Sequence, residues 1–104
     1  VGIQQAGTEV PEVYELSQNY PNPFNPTTKI DFAIPKTGAV SLKIYDITGK
    51  EIRTLVNGET MFAGKYTVDW NSVNNTGQQV ASGVYFYRII SDSYVDTKKM
   101  MLIK

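Results

Sequence analysis

Three short runs of this chain alternate apolar and polar residues. Ile30, Phe32 and Ile34 are interleaved with Asp31 and Ala33, Val40, Leu42 and Ile44 with Ser41 and Lys43, and Tyr66, Val68 and Trp70 with Thr67 and Asp69. A period of two puts each apolar set on one face of an extended strand, and the interleaved set on the other. No segment carries the 3.6-residue period of a helix. The runs are separated by turn chemistry. Pro35 stops the first, Thr37-Gly38 leads into the second, and Asp46 to Gly49 reads as a tight turn with Gly49 at positive φ. Residues 51–56 pair back as a strand, Asn57-Gly58 marks another turn, and residues 59–64 are irregular. Residues 71–78 form a polar loop, and 79–81 add a brief edge strand. Gly83 to Ile90 is a dense, central strand, and Ser91-Asp92-Ser93 turns the chain into the last one, residues 94–103. Residues 13–18, with Leu16 inward, supply a short first strand. Seven or eight strands spaced in this way predict an all-β fold, an antiparallel sandwich of immunoglobulin or fibronectin-III type.

At 104 residues and 41% hydrophobic content, the chain fits one globular domain with a modest core. Residues 1–12 lack apolar periodicity and read as a linker from a preceding domain, leaving 13–104 as the sandwich. Without an initiating Met, the chain reads as a piece of something longer. Its start has no basic region followed by an apolar stretch, so it does not read as a signal peptide. A formal net charge of zero and no Lys/Arg block give no electrostatic footprint for nucleic acid or an anionic membrane. No apolar run has the length of a membrane-spanning helix, and a monomer is expected.

The chain has neither Cys nor His. That excludes disulfides, thiolate or histidine metal sites, and the nucleophile–histidine pairs of acyl-transfer enzymes. Asp31, Asp46, Asp69 and Asp96 fall on predicted outward positions, so solvated surface outweighs a paired-carboxylate site. No cofactor is expected. Asn74-Asn75-Thr76 matches the short glycosylation sequon, a weak pattern.

Between the first two strands runs Tyr20-Pro-Asn-Pro-Phe-Asn-Pro26. Each proline fixes φ and lacks a donor, and each preceding residue is pushed to extended geometry. The segment is expected to be stiff and ordered, with Phe24, its one bulky apolar residue, turned to the core. It reads as a rigid corner or as a preformed recognition element. In the last strand, Met100-Met-Leu-Ile103 is flanked by Lys98, Lys99 and Lys104. This run either covers the core or offers its unpaired backbone to a partner, while the lysines read equally as gatekeepers against edge aggregation. Tyr85 and Tyr87 share one face of their strand, and Val84 and Phe86 the other. Core or rim packing is the expectation for these tyrosines, a sugar-stacking platform the alternative. Trp70 reads as a core anchor.

Four stretches, in order, resemble one family. They are Asn19 to Thr28, Val40 to Ile52 (Val-Ser-Leu-Lys-Ile-Tyr-Asp-Ile-Thr-Gly-Lys-Glu-Ile), Ala81 to Ile89 (Ala-Ser-Gly-Val-Tyr-Phe-Tyr-Arg-Ile) and Thr97 to Lys104. The family is the type A C-terminal sorting domains of the bacterial type IX secretion system, and the resemblance covers about residues 16–104. A similar pattern occurs in the immunoglobulin-like domain of the flagellar hook-capping protein. The resemblance implies a non-catalytic address label on a secreted cargo. The implied partners are an outer-membrane translocon, a shuttle protein and a sortase that removes the domain and can attach the cargo to the cell surface after periplasmic transit. By motif match, the implied recognition residues are Pro21, Asn22, Pro23, Gly83, Tyr85, Lys99 and Lys104. Cleavage would fall in the linker, near Gly2 or Ala6-Gly7. A structural spacer, a hook-cap-like domain and a carbohydrate-binding module remain as alternatives.

Overall fold

The computed structural model describes residues 3–5 and 10–104. Eight strands follow one another: β1 (Ile3–Gln5), β2 (Glu15–Leu16), β3 (Thr28–Ile34), β4 (Gly38–Tyr45), β5 (Glu51–Met61), β6 (Gly64–Trp70), β7 (Gly83–Ser91) and β8 (Tyr94–Leu102). They form two antiparallel sheets of four, in the orders β1-β6-β3-β2 and β5-β4-β7-β8. The fold is an immunoglobulin-like β-sandwich.

The alternation places the core as expected. Ile30, Phe32, Ile34, Val40, Leu42, Ile44, Val68 and Trp70 are buried between the sheets. Tyr85, Tyr87 and Ile89 join them from β7, and Met100 and Leu102 from β8. Tyr66 sits at the margin, stacked 5.5 Å from Phe32. The Tyr85/Tyr87 face is therefore core, and these two rings provide no exposed platform.

Two loops share one construction. In Asp46-Ile-Thr-Gly-Lys the Asp46 Oδ1 accepts from the Thr48 N–H, the Thr48 hydroxyl and the Lys50 N–H. In Asn74-Asn-Thr-Gly-Gln the Asn74 Oδ1 accepts the equivalent three bonds from Thr76 and Gln78. Gly49 and Gly77, at φ +86° and +84°, close both turns in the left-handed region. Three donors also hold the Asp46 carboxyl below its ordinary value, the Thr48 hydroxyl foremost.

The structure departs from the sequence reading in four places. Asn57-Gly58 is not a turn. β5 runs through it and keeps pairing with β4, and the register slips at Val40/Ser41, where Glu59 and Asn57 face consecutive residues. Gly58, at φ +65°, is the extra residue of a bulge. The first expected strand shrinks to Glu15–Leu16, with Val13 exposed. Residues 79–81 contribute only the single bridge Val73–Gln79. Within the stretch read as linker, Ile3–Gln5 pairs with Tyr66 to Val68 of β6. Gly2 and Ala6-Gly7, where cleavage was expected, lie outside the described residues.

Tyr87 ties the two sheets together. Its hydroxyl donates to the Ser17 carbonyl at 2.7 Å and accepts from the Asn19 N–H at 2.8 Å. Burial pushes its phenol up to about 12, against an ordinary 10.0. The folded state thus keeps a proton that the unfolded chain gives up above pH 10. The stabilisation is complete below pH 10 and is lost as pH rises towards 12, up to about 3 kcal/mol. We predict that Tyr87→Phe, which leaves the Ser17 carbonyl and Asn19 N–H unpaired, costs about 1–3 kcal/mol at neutral pH. Urea midpoints of both proteins at pH 8 and pH 11.5 check this. The gap between them should shrink at the higher pH, and a constant gap would contradict the assignment.

Candidate recognition site

The proline segment folds into a closed loop at one end of the sandwich. Tyr20 and Lys29 pair through both backbone bonds at its mouth, at 3.0 and 2.9 Å. Inside, the buried Asn19 Nδ2 donates to Thr28 Oγ1 at 2.9 Å and to the Pro21 carbonyl at 3.3 Å. The Thr28 hydroxyl donates to the same carbonyl at 3.0 Å. The Ser72 hydroxyl donates to the Pro26 carbonyl from the β6–β7 connection. Prolines remove donors, so the loop is held largely by bonds to its carbonyls.

Phe24 enters the core as expected, 2% exposed, with its ring 5.8 Å from that of Trp70. Trp70 in turn packs edge-on against Tyr85 at 5.5 Å and donates its Nε1–H to the Val73 carbonyl at 2.8 Å. The Tyr85 hydroxyl reaches the Ala81 carbonyl at 2.7 Å. One aromatic stack therefore runs from the proline segment to β7.

The same segment closes the outer edge of β8. The Phe24 N–H donates to the Met101 carbonyl at 3.0 Å, and the Ile103 N–H donates to the Phe24 carbonyl at 2.9 Å. The Met101 N–H donates to Asn22 Oδ1 at 3.0 Å, and Gln18 Nε2 donates to the Lys99 carbonyl at 2.8 Å. The sequence reading left the run of residues 100–103 either covering the core or offering its backbone to a partner. In the structure its last stretch is already paired, because alternation turns the outward groups of residues 99, 101 and 103 to one side. Phe24 supplies the N–H donor that Pro21 and Pro23 lack, and Asn22 Oδ1 adds an acceptor.

The seven residues singled out by motif gather around this junction in different roles. Asn22, Pro23 and Lys99 line a cleft of about 220 Å³ together with Val84, Met100 and Met101. Gly83 pairs with Leu102 beside it, and the Lys104 N–H donates to Ser82 Oγ at 3.2 Å. Pro21 is exposed but directs its carbonyl inward, and Tyr85 lies in the core. Sequence reasoning did not choose Gln18, Asn19, Thr28 or Val84 as site residues, and named Met101 only as part of the terminal apolar run. The polar residues bracketing the prolines were the available signal: short hydrogen-bonding side chains at both ends of a segment poor in donors.

Fold and junction together define an immunoglobulin-like module whose first and last sequence motifs meet on one surface. The family described as Secretion system C-terminal sorting domain matches residues 18–104. The chain belongs to that family: it is a C-terminal sorting domain of the type IX secretion system, a secretion signal that is not itself catalytic. Membership marks the protein that carries it as secreted or displayed on the cell surface, and implies contact with the secretion machinery.

A comparison with curated proteins finds no match. Among solved structures, dimeric latent PorU from Porphyromonas gingivalis is similar over 91% of this chain and 10% of its own, with a TM-score of 0.73 and 20% identity. PorZ from the same organism is described as an essential bacterial surface component of the type IX secretion system. It is similar over 88% of this chain and 11% of its own, with a TM-score of 0.54 and 26% identity. The chain thus spans about a tenth of the length of these two proteins.

Proposed function

We propose that the domain carries an N-terminal cargo from the periplasm through the outer membrane by the type IX route. A shuttle protein and the translocon read it as an address, and a sortase then removes it, releasing the cargo or attaching it to the surface. Residues 1–12, of which Ile3–Gln5 pair with β6, connect it to the cargo, and the cut falls within them. The observation that carries this reading is the family match over nearly the whole sandwich, from Gln18 to Lys104. The convergence of the first and last motifs on one junction supports it. In this reading Asn22, Pro23 and Lys99 meet the machinery directly, Gly83 and Lys104 flank them, and Pro21 and Tyr85 hold the junction in shape.

Fusion of the domain to the C-terminus of a periplasmic reporter, in a host carrying the type IX system, tests this. Most of the reporter is expected at the cell surface or in the medium. Retention of an intact, folded fusion in the periplasm would overturn the proposal in favour of a structural spacer.

A further inference from the structure

The two outer faces of the sandwich differ in chemistry. On the β1-β6-β3-β2 sheet most of the outward charges of β3 and β6 are satisfied within the face, while Lys65 and Glu15 carry no ion pair among the described residues. Lys29 Nζ pairs with Asp69 at 2.9 Å, and Asp31 accepts from the Thr67 hydroxyl at 2.7 Å and from the Tyr20 hydroxyl. The β5-β4-β7-β8 sheet instead presents apolar cross-strand pairs. Val84 faces Met101, Phe86 lies between Tyr45 and Lys99, and Ile90 faces Val95. Met101, Ile90 and Val95 are 43%, 44% and 57% exposed.

Two clefts are cut into this second face. The first is the 220 Å³ cleft beside Asn22, Pro23 and Lys99. The second, about 230 Å³, is lined by Tyr45, Ile47, Phe86, Arg88 and Thr97, with Asp46 at its turn. They adjoin along the Phe86–Lys99 row. Val84 on one side and Phe86 on the other are two strand residues apart, about 7 Å. All four family motifs contribute to this face, although sequence reasoning drew site residues from only three.

The outward charges on β4, β7 and β8 have one sign: Lys43, Arg88 and Lys99. The Arg88 guanidinium lies 5.2 Å over the Tyr45 ring, and its Nε donates to Thr97 Oγ1 at 3.1 Å. Neither Arg88 nor Lys99 has an ion pair among the described residues. Lys43 is matched by Glu51 at 3.4 Å, and Oδ1 of Asp46 is held by three donors of its own turn.

We propose that the outer face of the β5-β4-β7-β8 sheet is the docking surface of the domain, and that its occupant is an extended acidic segment of a partner protein. Apolar side chains two residues apart on that segment fill the two clefts, and carboxylates meet Lys99 and Arg88. The spacing is that of alternate residues on an extended chain. Complementary charge sets register and encounter rate. A second copy of this chain fits poorly, because a two-fold contact would bring cationic centres together. Concave clefts of side-chain size, with only two unmatched cations, favour a peptide over a lipid surface. The inference rests on the sorting reading and specifies which surface is read.

Two experiments test it. The isotope-labelled domain is titrated with the peptide Glu-Ser-Leu-Ser-Leu-Ser-Glu, whose leucines and carboxylates share one face of an extended chain, and in parallel with its Lys-Ser-Leu-Ser-Leu-Ser-Lys counterpart. Shift changes are expected at Phe86, Arg88, Lys99 and Met101, but not at Thr67, and only with the acidic peptide. In the export assay, Met101→Lys and the double variant Arg88→Glu/Lys99→Glu should each lower export at least about tenfold, the equivalent of 1.4 kcal/mol of docking energy. Lys65→Glu on the opposite face should export like the parent, and matching melting temperatures confirm that the variants fold. Parental export of the face variants would overturn the docking surface while leaving the sorting function intact, whereas retention of the parent fusion would overturn the sorting reading itself. Equal response to both peptides, binding to phosphatidylglycerol vesicles in place of the acidic peptide, or a dimer broken by Met101→Lys would each overturn the proposed occupant.

Discussion

Trp70→Ala is expected to lower the unfolding free energy by about 3–5 kcal/mol. The indole is 1% exposed and touches Phe24 on one side and Tyr85 on the other. Truncation removes its buried apolar surface, leaves a cavity between two rings, and strands the Val73 carbonyl that accepts its Nε1–H. The damage should not stay local. Phe24 loses the ring it rests on, so the bonds it makes to Met101 and Ile103 should open more often. Urea denaturation gives the global loss. Amide exchange of Phe24 and Ile103, faster in the variant by more than the global loss requires, would show the spread. A loss below about 1 kcal/mol would place the indole in a site that collapses easily and would contradict its role as anchor.

Deletion of residues 100–104 is expected to unfold the domain. Met100 and Leu102 are each 1% exposed and part of the main core. Losing two such side chains costs about 2–5 kcal/mol each, a large part of the 5–15 kcal/mol by which domains are usually stable. The deletion also removes every backbone partner of Phe24 and the N–H that Asn22 accepts. Far-ultraviolet circular dichroism should lose its sheet signal, with dispersion of amide resonances lost alongside. A folded, cooperatively melting deletion variant would contradict this account. Failure of that variant in an export assay would therefore report on folding, which is why single changes on the outer face separate recognition from stability.

The strands were legible because period two is a local signal, carried by neighbours such as Ile30, Phe32 and Ile34. Trp70 and Phe24 were legible as core for a related reason: each is the bulkiest apolar group where the chain has few alternatives. Asn57-Gly58 misled because a bulge and a tight hairpin place the same demand on glycine, a positive φ. Only the continued pairing of β5 with β4 distinguishes them, and that is a tertiary fact. Ile3–Gln5 carries too short a pattern to announce a strand, and its partner is β6. The closure of β8 was equally hidden. It depends on Asn22 and Met101, 79 positions apart in the chain. The site was thus legible as a set of motifs but not as a shape. The outer face joins Tyr45, Phe86 and Lys99 through register, which no single motif contains.

The bond between the proline segment and β8 has a consequence for timing. Asn22 and Phe24 emerge from the ribosome well before Met101 and Ile103, whose backbone groups they hold. Until those residues arrive, the loop has nothing to close upon and the cleft beside Lys99 has no second wall. A chain cut short by premature termination, or nicked between the two motifs, would contain most of the address without displaying it. In the proposed reading, the signal therefore requires the domain to be made and folded through its last strand, which a linear tag of the same residues would not require.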